Sequence, residues 1–386
     1  MCSSVRDAAT AMIVERLELV DFRNYTAATF EFTAGTTVVV GDNGQGKSNV
    51  AEALAYLATL TSFRGAPPEA LVRVGASAAI VRAHVLDDDG RSSLIETELA
   101  LAGRSRVQVN RQRLGRARDL LGVVRVTVFA PDDLTLVKGG PGERRRFLDD
   151  TLVGLATKYD AARLELDRIV RQRNTLLRQA GGRLDVSTAT TLDVWDAKLA
   201  EAGERFGHAR DTLVTRITPH VTAAYQRLAG RATPIELTYA PEWRRSGLAA
   251  ALAAARDADV RRGVSTVGPQ RDELVLAIDE LPARTHASQG EQRTLALALR
   301  LGAHQLVAER TGSTPVLVLD DVLSELDTGR ATALLRHLPP GQIVITTAGT
   351  IPPATRPERV LRIVDGAIDG TGTVAGGTPS QEDGAA

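Results

Sequence analysis

Gly41, Asp42, Asn43, Gly44, Gln45, Gly46, Lys47 and Ser48 follow the pattern G-x-x-x-x-G-K-[ST], whose chemistry is the cradling of nucleotide phosphates. Glycines let backbone N–H groups wrap an anion, and a helix that starts there adds its partial positive charge. Lys47 is then placed to reach the β- and γ-phosphates, and the Ser48 hydroxyl to ligate Mg²⁺. A second chemical group ends the apolar run Val316 to Leu319 in paired acids, Asp320 and Asp321. Asp320 is suited to hold Mg²⁺, directly or through water, and Asp321 to orient or deprotonate an attacking water. Such a chain binds ATP or GTP.

The motif needs a strand leading in and a helix leading out. Thr36–Val40 is β-branched and apolar, and Asn49 to Leu57 carries helix formers with apolar residues on one face. Further strands are expected at Ile13–Asp21, Ala28–Phe32, Ala79–Leu86, Ser92–Leu101 and Val124–Phe129, with a hairpin turn at 87–90. From about Gly142 to Arg262 the pattern is helical, interrupted at Gly181-Gly182 and by Pro219, Pro234 and Pro241. Ala162, Leu166, Ile169, Arg173, Leu176 and Ala180 form a heptad-like seam. Leu192, Trp195, Leu199, Ala202, Phe206, Ala209 and Leu213 form a second, so a short antiparallel helix pair is expected. Strand character resumes at Glu273–Asp279, followed by a helix at Glu291–Glu309 and strands at Pro315–Leu319, Ile343–Thr347 and Arg359–Val364.

The expected class is α/β: a phosphate-loop sheet with flanking helices and an antiparallel β part, interrupted by an inserted helical lobe. The expected organisation is an N-terminal extension at 1–12, a first ATPase segment at 13–130, the lobe at 131–262, a second ATPase segment at 263–368, and a Gly-, Thr- and acid-rich disordered tail at 369–386. The 386 residues are 43% hydrophobic with no long apolar run, which argues against a membrane span, and the N-terminus lacks the apolar core of a signal peptide. A single cysteine, Cys2, excludes a disulfide framework and a cysteine-based zinc site. A cytoplasmic location is therefore expected.

Net charge is zero, but its distribution is uneven. Between Gly103 and Arg118 lie Arg104, Arg106, Arg111, Arg113, Arg116 and Arg118 with no acid, and Arg144, Arg145 and Arg146 follow. Arg163, Arg168, Arg171, Arg173 and Arg178 continue the series. One such cluster is ordinarily a solvated face. Several in a nucleotide-binding chain point to a phosphate-backbone partner, with Arg104, Arg106, Arg111, Arg113, Arg116, Arg144 and Arg145 as candidate DNA contacts.

Upstream of the paired acids, Ser288-Gln-Gly290-Glu-Gln292-Arg293 resembles the S-x-G-x-Q signature of ABC-type ATPases, and Ser324-Glu-Leu-Asp327 resembles their D-loop. In that class the signature of one subunit presses on the γ-phosphate held by another, which implies roles for Ser288, Gly290 and Gln292. Within the class the chain resembles the SMC-like branch, specifically the RecF family of recombination mediators. The resemblance rests on Asp21-Phe-Arg23-Asn24-Tyr25, Gly41 to Asn49, Phe129-Ala-Pro131-Asp-Asp-Leu134, Leu136-Val-Lys-Gly139, Arg144-Arg-Arg-Phe147-Leu-Asp149, Gly268-Pro-Gln-Arg-Asp272, Ser288 to Arg293 and Leu319 to Asp327. It implies an ATP-dependent homodimer that acts in replication and recombinational repair, binds duplex DNA near single-strand gaps or junctions, works with RecR and RecO at the nucleoid, and hydrolyses ATP weakly. It also implies nucleotide contacts by Arg23, Asn24 and Asn49. Gln270 stands where the family usually has histidine.

Rival classes fit less well. A transporter ATPase carries L-S-G-G-Q and a histidine after the strand that follows the D-loop, whereas Ile343–Thr347 ends without one. Chromosome-organising SMC relatives need long coiled arms, and phage-defence nucleases need a further acid-rich domain.

Overall fold

The computed structural model describes residues 11–87, 89–239 and 241–373. They fall into two units. The first comprises the described residues up to Ala130, Pro315–Asp327 and those from Pro340 onward. Its first sheet is antiparallel and runs Tyr25–Glu31, Ile13–Phe22, Ala78–Leu86, Ser92–Ala100, Arg106–Val109, Gln112–Arg113 in spatial order. Alternation explains this sheet: Leu17, Leu19, Val81, Ala83 and Ile95 are buried, while charged residues occupy the other face. There Arg82 bridges Glu18 and Glu96 at 2.6 and 2.5 Å.

The second sheet has the spatial order Ala367–Thr373, Arg359–Val364, Thr36–Val40, Ile343–Thr347, Val316–Asp320, Val126–Phe129. Its central strands are parallel and nearly continuous runs of Val, Ile and Leu, as buried parallel strands require. The helix Lys47–Thr59 is buried on almost every side, and one apolar cluster joins it to both sheets through Leu54, Leu57, Leu17, Val81, Val318 and Val344. The phosphate-loop strand and helix are thus fixed by the core of the first unit.

The second unit comprises Pro131–Thr314 and Thr328–Pro339. Its main helices are Pro141–Leu155, Lys158–Gln179, Val186–Ala229, Leu248–Arg262, Gln289–Thr311 and Thr328–Arg336, with a small antiparallel sheet of Ile235–Tyr239, Leu274–Ile278 and Leu281–Pro282. The two seams meet as expected, with Leu166, Ile169, Leu192, Leu199, Ala202, Phe206 and Leu213 buried.

Several expectations need correction. Pro219 does not end a helix: Val186–Ala229 runs through it. A proline inside a helix costs about 3 kcal/mol, and the burial of Ile217, Val221, Ala224 and Tyr225 in the same stretch offsets it. The boundary expected at 262/263 is absent, because the signature helix Gln289–Thr311 packs along Val186–Ala229 and belongs with the helices. Met12, assigned to the N-terminal extension, is buried and its sulfur accepts from the Arg125 amide at 3.2 Å. Residues 1–10 lie outside the described residues. The expected tail begins too early, since Ala367–Thr373 pairs antiparallel with Arg359–Val364; residues 374–386 lie outside the described residues.

The arginine series in the helices is split: Arg168, Arg171 and Arg178 are exposed, whereas Arg173 is internal. Arg173, at a seam position, is fully buried and donates to Asp196 at 2.6 Å, Asp259 at 2.7 Å and Ser265 at 2.9 Å. Arg210 makes a two-pronged pair with Asp149 at 2.8 and 2.9 Å. Arg163 pairs with Asp150 and Asp160. A buried guanidinium is tolerated only with such partners.

Candidate functional site

At the phosphate loop the backbone turns through left-handed conformations at Gly44 (φ 83°) and Gly46 (φ 113°), which glycine adopts without steric cost. Gly46 is required a second way. A Cβ there would lie 2.7 Å from the Asn24 amide atoms and the Tyr25 hydroxyl. Those neighbours hold the loop: Asn24 Nδ2 donates to the Gln45 carbonyl at 3.0 Å, Tyr25 OH donates to the Gly46 carbonyl at 2.9 Å, and Asn49 Nδ2 donates to Asn24 Oδ1 at 2.7 Å. From the other side, the amide of Asp365 donates to Gln45 Oε1. Gln45, whose side chain had no assigned role, is therefore a latch on the loop.

The helix that follows has no side-chain cap and no acid in its first turn. Its first amides have no acceptor within the helix, so this N-terminus offers uncompensated donors and positive charge to an anion. Lys47 is buried, and its ammonium donates to the Asp42 carbonyl at 2.8 Å, while Asp42, Asn43 and Gly44 are exposed.

The acids converge on the same site within the first unit. Asp320 is buried at the end of its strand. Burial pushes its carboxyl above the usual range, while hydrogen bonds from the Thr346 and Ser48 hydroxyls and the charge of Arg64 pull it back. Thr346 is fully buried; its hydroxyl donates to Asp320 at 2.6 Å and accepts from the Asp321 amide at 3.0 Å. Asp321 adopts a left-handed conformation (φ 52°), and its Oδ1 is buried without a hydrogen-bond partner. An orphaned carboxylate oxygen is costly, and at this position the O–H of a reacting water would satisfy it. The hydroxyl of Ser48 and the carboxylate of Asp320 are hard oxygen donors of the kind Mg²⁺ takes, so the residues present fit that ion.

Sequence reasoning missed Thr346 and Arg64. Arg64 donates to Asn49 Oδ1 at 3.3 Å. Neither belongs to a motif with its own spacing, so only the fold brings them to the site.

Three expected contacts are not free for nucleotide. Arg23 spends its nitrogens on the fully buried Glu52, at 2.7 Å twice, and on the Ala70 carbonyl at 2.9 Å. Its role is to neutralise that carboxylate. Asn24 shapes the loop, as described above. Gln292 is buried, its amide donating to the Ala283 and Arg284 carbonyls at 3.0 and 3.1 Å, so it braces the turn before the signature. Ser288 and Gln289 are exposed at the start of their helix. Ser288 caps that helix reciprocally with Glu291. Gln270 donates to the Val267 carbonyl at 2.8 Å.

The candidate DNA residues separate into two groups. Arg144 is buried, paired with Glu273 at 2.7 and 2.9 Å and bonded to the Leu136 and Gly139 carbonyls. Arg145 is half-buried and donates to the Asp272 carbonyl at 2.7 Å. Arg144 is thus internal, and the Arg145 guanidinium is held by a backbone carbonyl, so neither side chain is presented to DNA as the exposed arginines are. Arg104, Arg106, Arg111, Arg113 and Arg116 are exposed. Arg106 lies 3.7 Å from Glu98, and Arg111 occupies the turn joining Arg106–Val109 to Gln112–Arg113.

Residues 13–351 match the RecF/RecN/SMC N terminal domain. The chain is 45% identical over 353 residues to the DNA replication and repair protein RecF of Streptomyces avermitilis, covering 87% of this chain and 93% of that protein. It is 40% identical over 382 residues to the protein of the same name from Cutibacterium acnes, covering 90% and 96%. Its backbone is similar to a solved structure of the recombination mediator protein RecF-ATP in the RecFOR pathway, with a TM-score of 0.86 at 29% identity over 94% of this chain and 99% of that one. An Smc head bound to the C-winged helix domain of ScpA shares the fold, with a TM-score of 0.57 at 17% identity over 94% and 98%. The architecture is the mixed α/β one of an ABC-type ATPase head.

Proposed function

Because the chain belongs to the RecF family of DNA replication and repair proteins, we propose that it is an ATP-dependent DNA-binding protein that dimerises on ATP and binds duplex DNA near single-strand gaps. It then assists recombinase loading with RecR and RecO, at the nucleoid in the cytoplasm. The observation that carries the nucleotide reading is the uncapped helix start at Gly46 beside Lys47, Ser48 and Asp320. A triphosphate supplies the anion that this N-terminus lacks.

In this reading Gly41 to Asn49 wrap the phosphates and Lys47 neutralises the β- and γ-oxygens. Ser48 and Asp320 would hold Mg²⁺, which when bound offsets charge on the transferred phosphoryl group. Asp321 orients a water and accepts its proton at Oδ1, while Thr346 fixes the backbone amide of Asp321 and one oxygen of Asp320. Its shorter side chain, where many ABC-type ATPases have glutamate, accords with weak, DNA-stimulated hydrolysis. Ser288 and Gly290 of one copy complete the site of another.

DNA contact is assigned to the exposed arginines at 104, 106, 111, 113 and 116. Aromatics make up only 4% of the chain, so phosphates rather than stacked bases are the target. Binding should weaken with salt at a log–log slope of about −0.9 per neutralised phosphate on duplex DNA. Replacing Arg111, Arg113 and Arg116 with alanine is expected to weaken binding to all sequences alike and flatten that slope, read by fluorescence anisotropy at two salt concentrations on duplex, single-stranded and gapped DNA. Arg144→Ala should instead lower stability by about 2 kcal/mol, since it strips a buried charge-assisted pair, and leave the slope alone. Unchanged slope and affinity in the triple variant would put the DNA surface elsewhere.

A further inference from the structure

Glu52 is a fully buried carboxylate on the helix Lys47–Thr59, among Val50, Ala51, Ala53 and Leu54, where an apolar side chain would pack without an ion to desolvate. Two other segments meet on it. The Arg23 guanidinium donates to both of its oxygens at 2.7 Å, and the Ser62 hydroxyl donates to Oε1 at 2.5 Å while accepting from the Arg64 amide at 3.1 Å. Both segments return to the phosphate loop. Asn24, next to Arg23, accepts from Asn49 Nδ2 at 2.7 Å and donates to the Gln45 carbonyl at 3.0 Å, and the Arg64 side chain donates to Asn49 Oδ1 at 3.3 Å. The Asn49 amide is therefore held at both ends, one by each segment, in the first turn of the helix that carries Glu52. The bonds close a ring.

The backbone of this ring is constrained. Arg23 has φ 55°, a left-handed conformation that persists for a long side chain only where the surroundings over-determine it. Here the Leu71 carbonyl accepts from the Arg23 amide at 2.8 Å and the Ala70 carbonyl from Nη1 at 2.9 Å, besides the two bonds to Glu52. A bidentate guanidinium–carboxylate pair fixes orientation as well as distance. On the other arm, Ser62 opens the short segment that brings the charge of Arg64 to bear on Asp320. We infer that Glu52 is a positioning residue of the nucleotide site: through Arg23 and Ser62 it fixes Asn24 and Arg64, and with them the phosphate loop and the Asn49 amide. The inference rests on the proposed nucleotide reading of the loop, and adds that ATP affinity depends on a carboxylate that touches no part of the nucleotide. A loop held in its binding shape before the ligand arrives has less to order on binding.

The test is the Mg-ATP dissociation constant by isothermal titration, read beside the thermal midpoint of the nucleotide-free protein. The variants are Ser62→Ala, Glu52→Gln, Arg23→Met combined with Glu52→Leu, and Lys47→Ala. Glu52→Gln leaves the Arg23 charge without its counter-ion and should lower both affinity and midpoint. The double variant replaces the ion pair by apolar groups, so its midpoint should return towards that of the wild type, while ATP still binds about tenfold more weakly because the ring is open. Ser62→Ala cuts one arm, leaves the buried pair intact, and should weaken ATP binding with the midpoint unchanged. A merely structural pair would move the midpoint and leave the dissociation constant alone. Wild-type affinity in the folded double variant overturns the inference; if that variant does not fold, wild-type affinity in Ser62→Ala overturns it. Either result with Lys47→Ala defective leaves the nucleotide reading standing, whereas undiminished ATP binding in Lys47→Ala overturns that reading itself.

Discussion

Lys47→Ala is expected to weaken ATP binding by about 100-fold or more and to remove the ATP-dependent dimer. The lysine is buried, held by one bond to the Asp42 carbonyl, at the start of a helix with no cap of its own. In the proposed reading the ammonium would meet two phosphate oxygens, each charge-assisted bond contributing roughly 1.5–3 kcal/mol. Without nucleotide the fold should not suffer, because truncation removes a charge from a buried position rather than stranding one. Isothermal titration with ATP and the thermal midpoint of the apo protein check both halves. A variant that binds ATP like the wild type would remove the phosphate loop from the account.

Asp320→Asn and Asp321→Asn should fail in different ways. Asn at 320 keeps an acceptor for the Thr346 hydroxyl, now 2.6 Å from the carboxylate, so the strand end should hold. What disappears is the negative charge beside Ser48, and Mg²⁺-dependent ATP affinity should fall. At 321 the left-handed backbone (φ 52°) suits asparagine as well as aspartate. The amide cannot take a proton, so hydrolysis should slow by about 10²–10⁴-fold while ATP stays bound and the dimer persists. Equilibrium ATP binding with Mg²⁺ and single-turnover hydrolysis separate the two. Equal loss of affinity in both variants would contradict the division of roles.

What was legible in the sequence is what a few neighbouring residues decide. Gly44, Gly46, Lys47 and Ser48 announce their loop because the bend and the anion site are local. The parallel strands announce themselves because burial on both faces demands continuous apolar runs such as Val316 to Leu319. The arginines were opaque for the opposite reason. Arg144 reads as a surface cluster until Glu273 is seen to pair with it 129 residues away, and Arg173 until Asp259 arrives from 86 positions on. Gln292 looked like a ligand because it is part of the signature, and Arg23 because the family resemblance runs through it, yet Arg23 pairs with buried Glu52 and Gln292 bonds the Ala283 and Arg284 carbonyls. The strand Ala367–Thr373 was hidden because Gly and Thr carry little apolar alternation, and its partner strand supplies the order that composition does not. Thr346 gave no signal, since its role depends on two strands lying in register.

The central claim is that ATP makes this chain a dimer and that the dimer holds DNA. Sedimentation velocity of the wild-type chain with a labelled gapped duplex, under Mg-ATP, Mg-ADP and no nucleotide, tests it most directly. The account predicts a species of twice the protomer mass on the DNA with ATP, with monomers and free DNA in the other two conditions. Monomeric protein on the DNA whichever nucleotide is present, or a dimer that forms equally well without ATP, would contradict it.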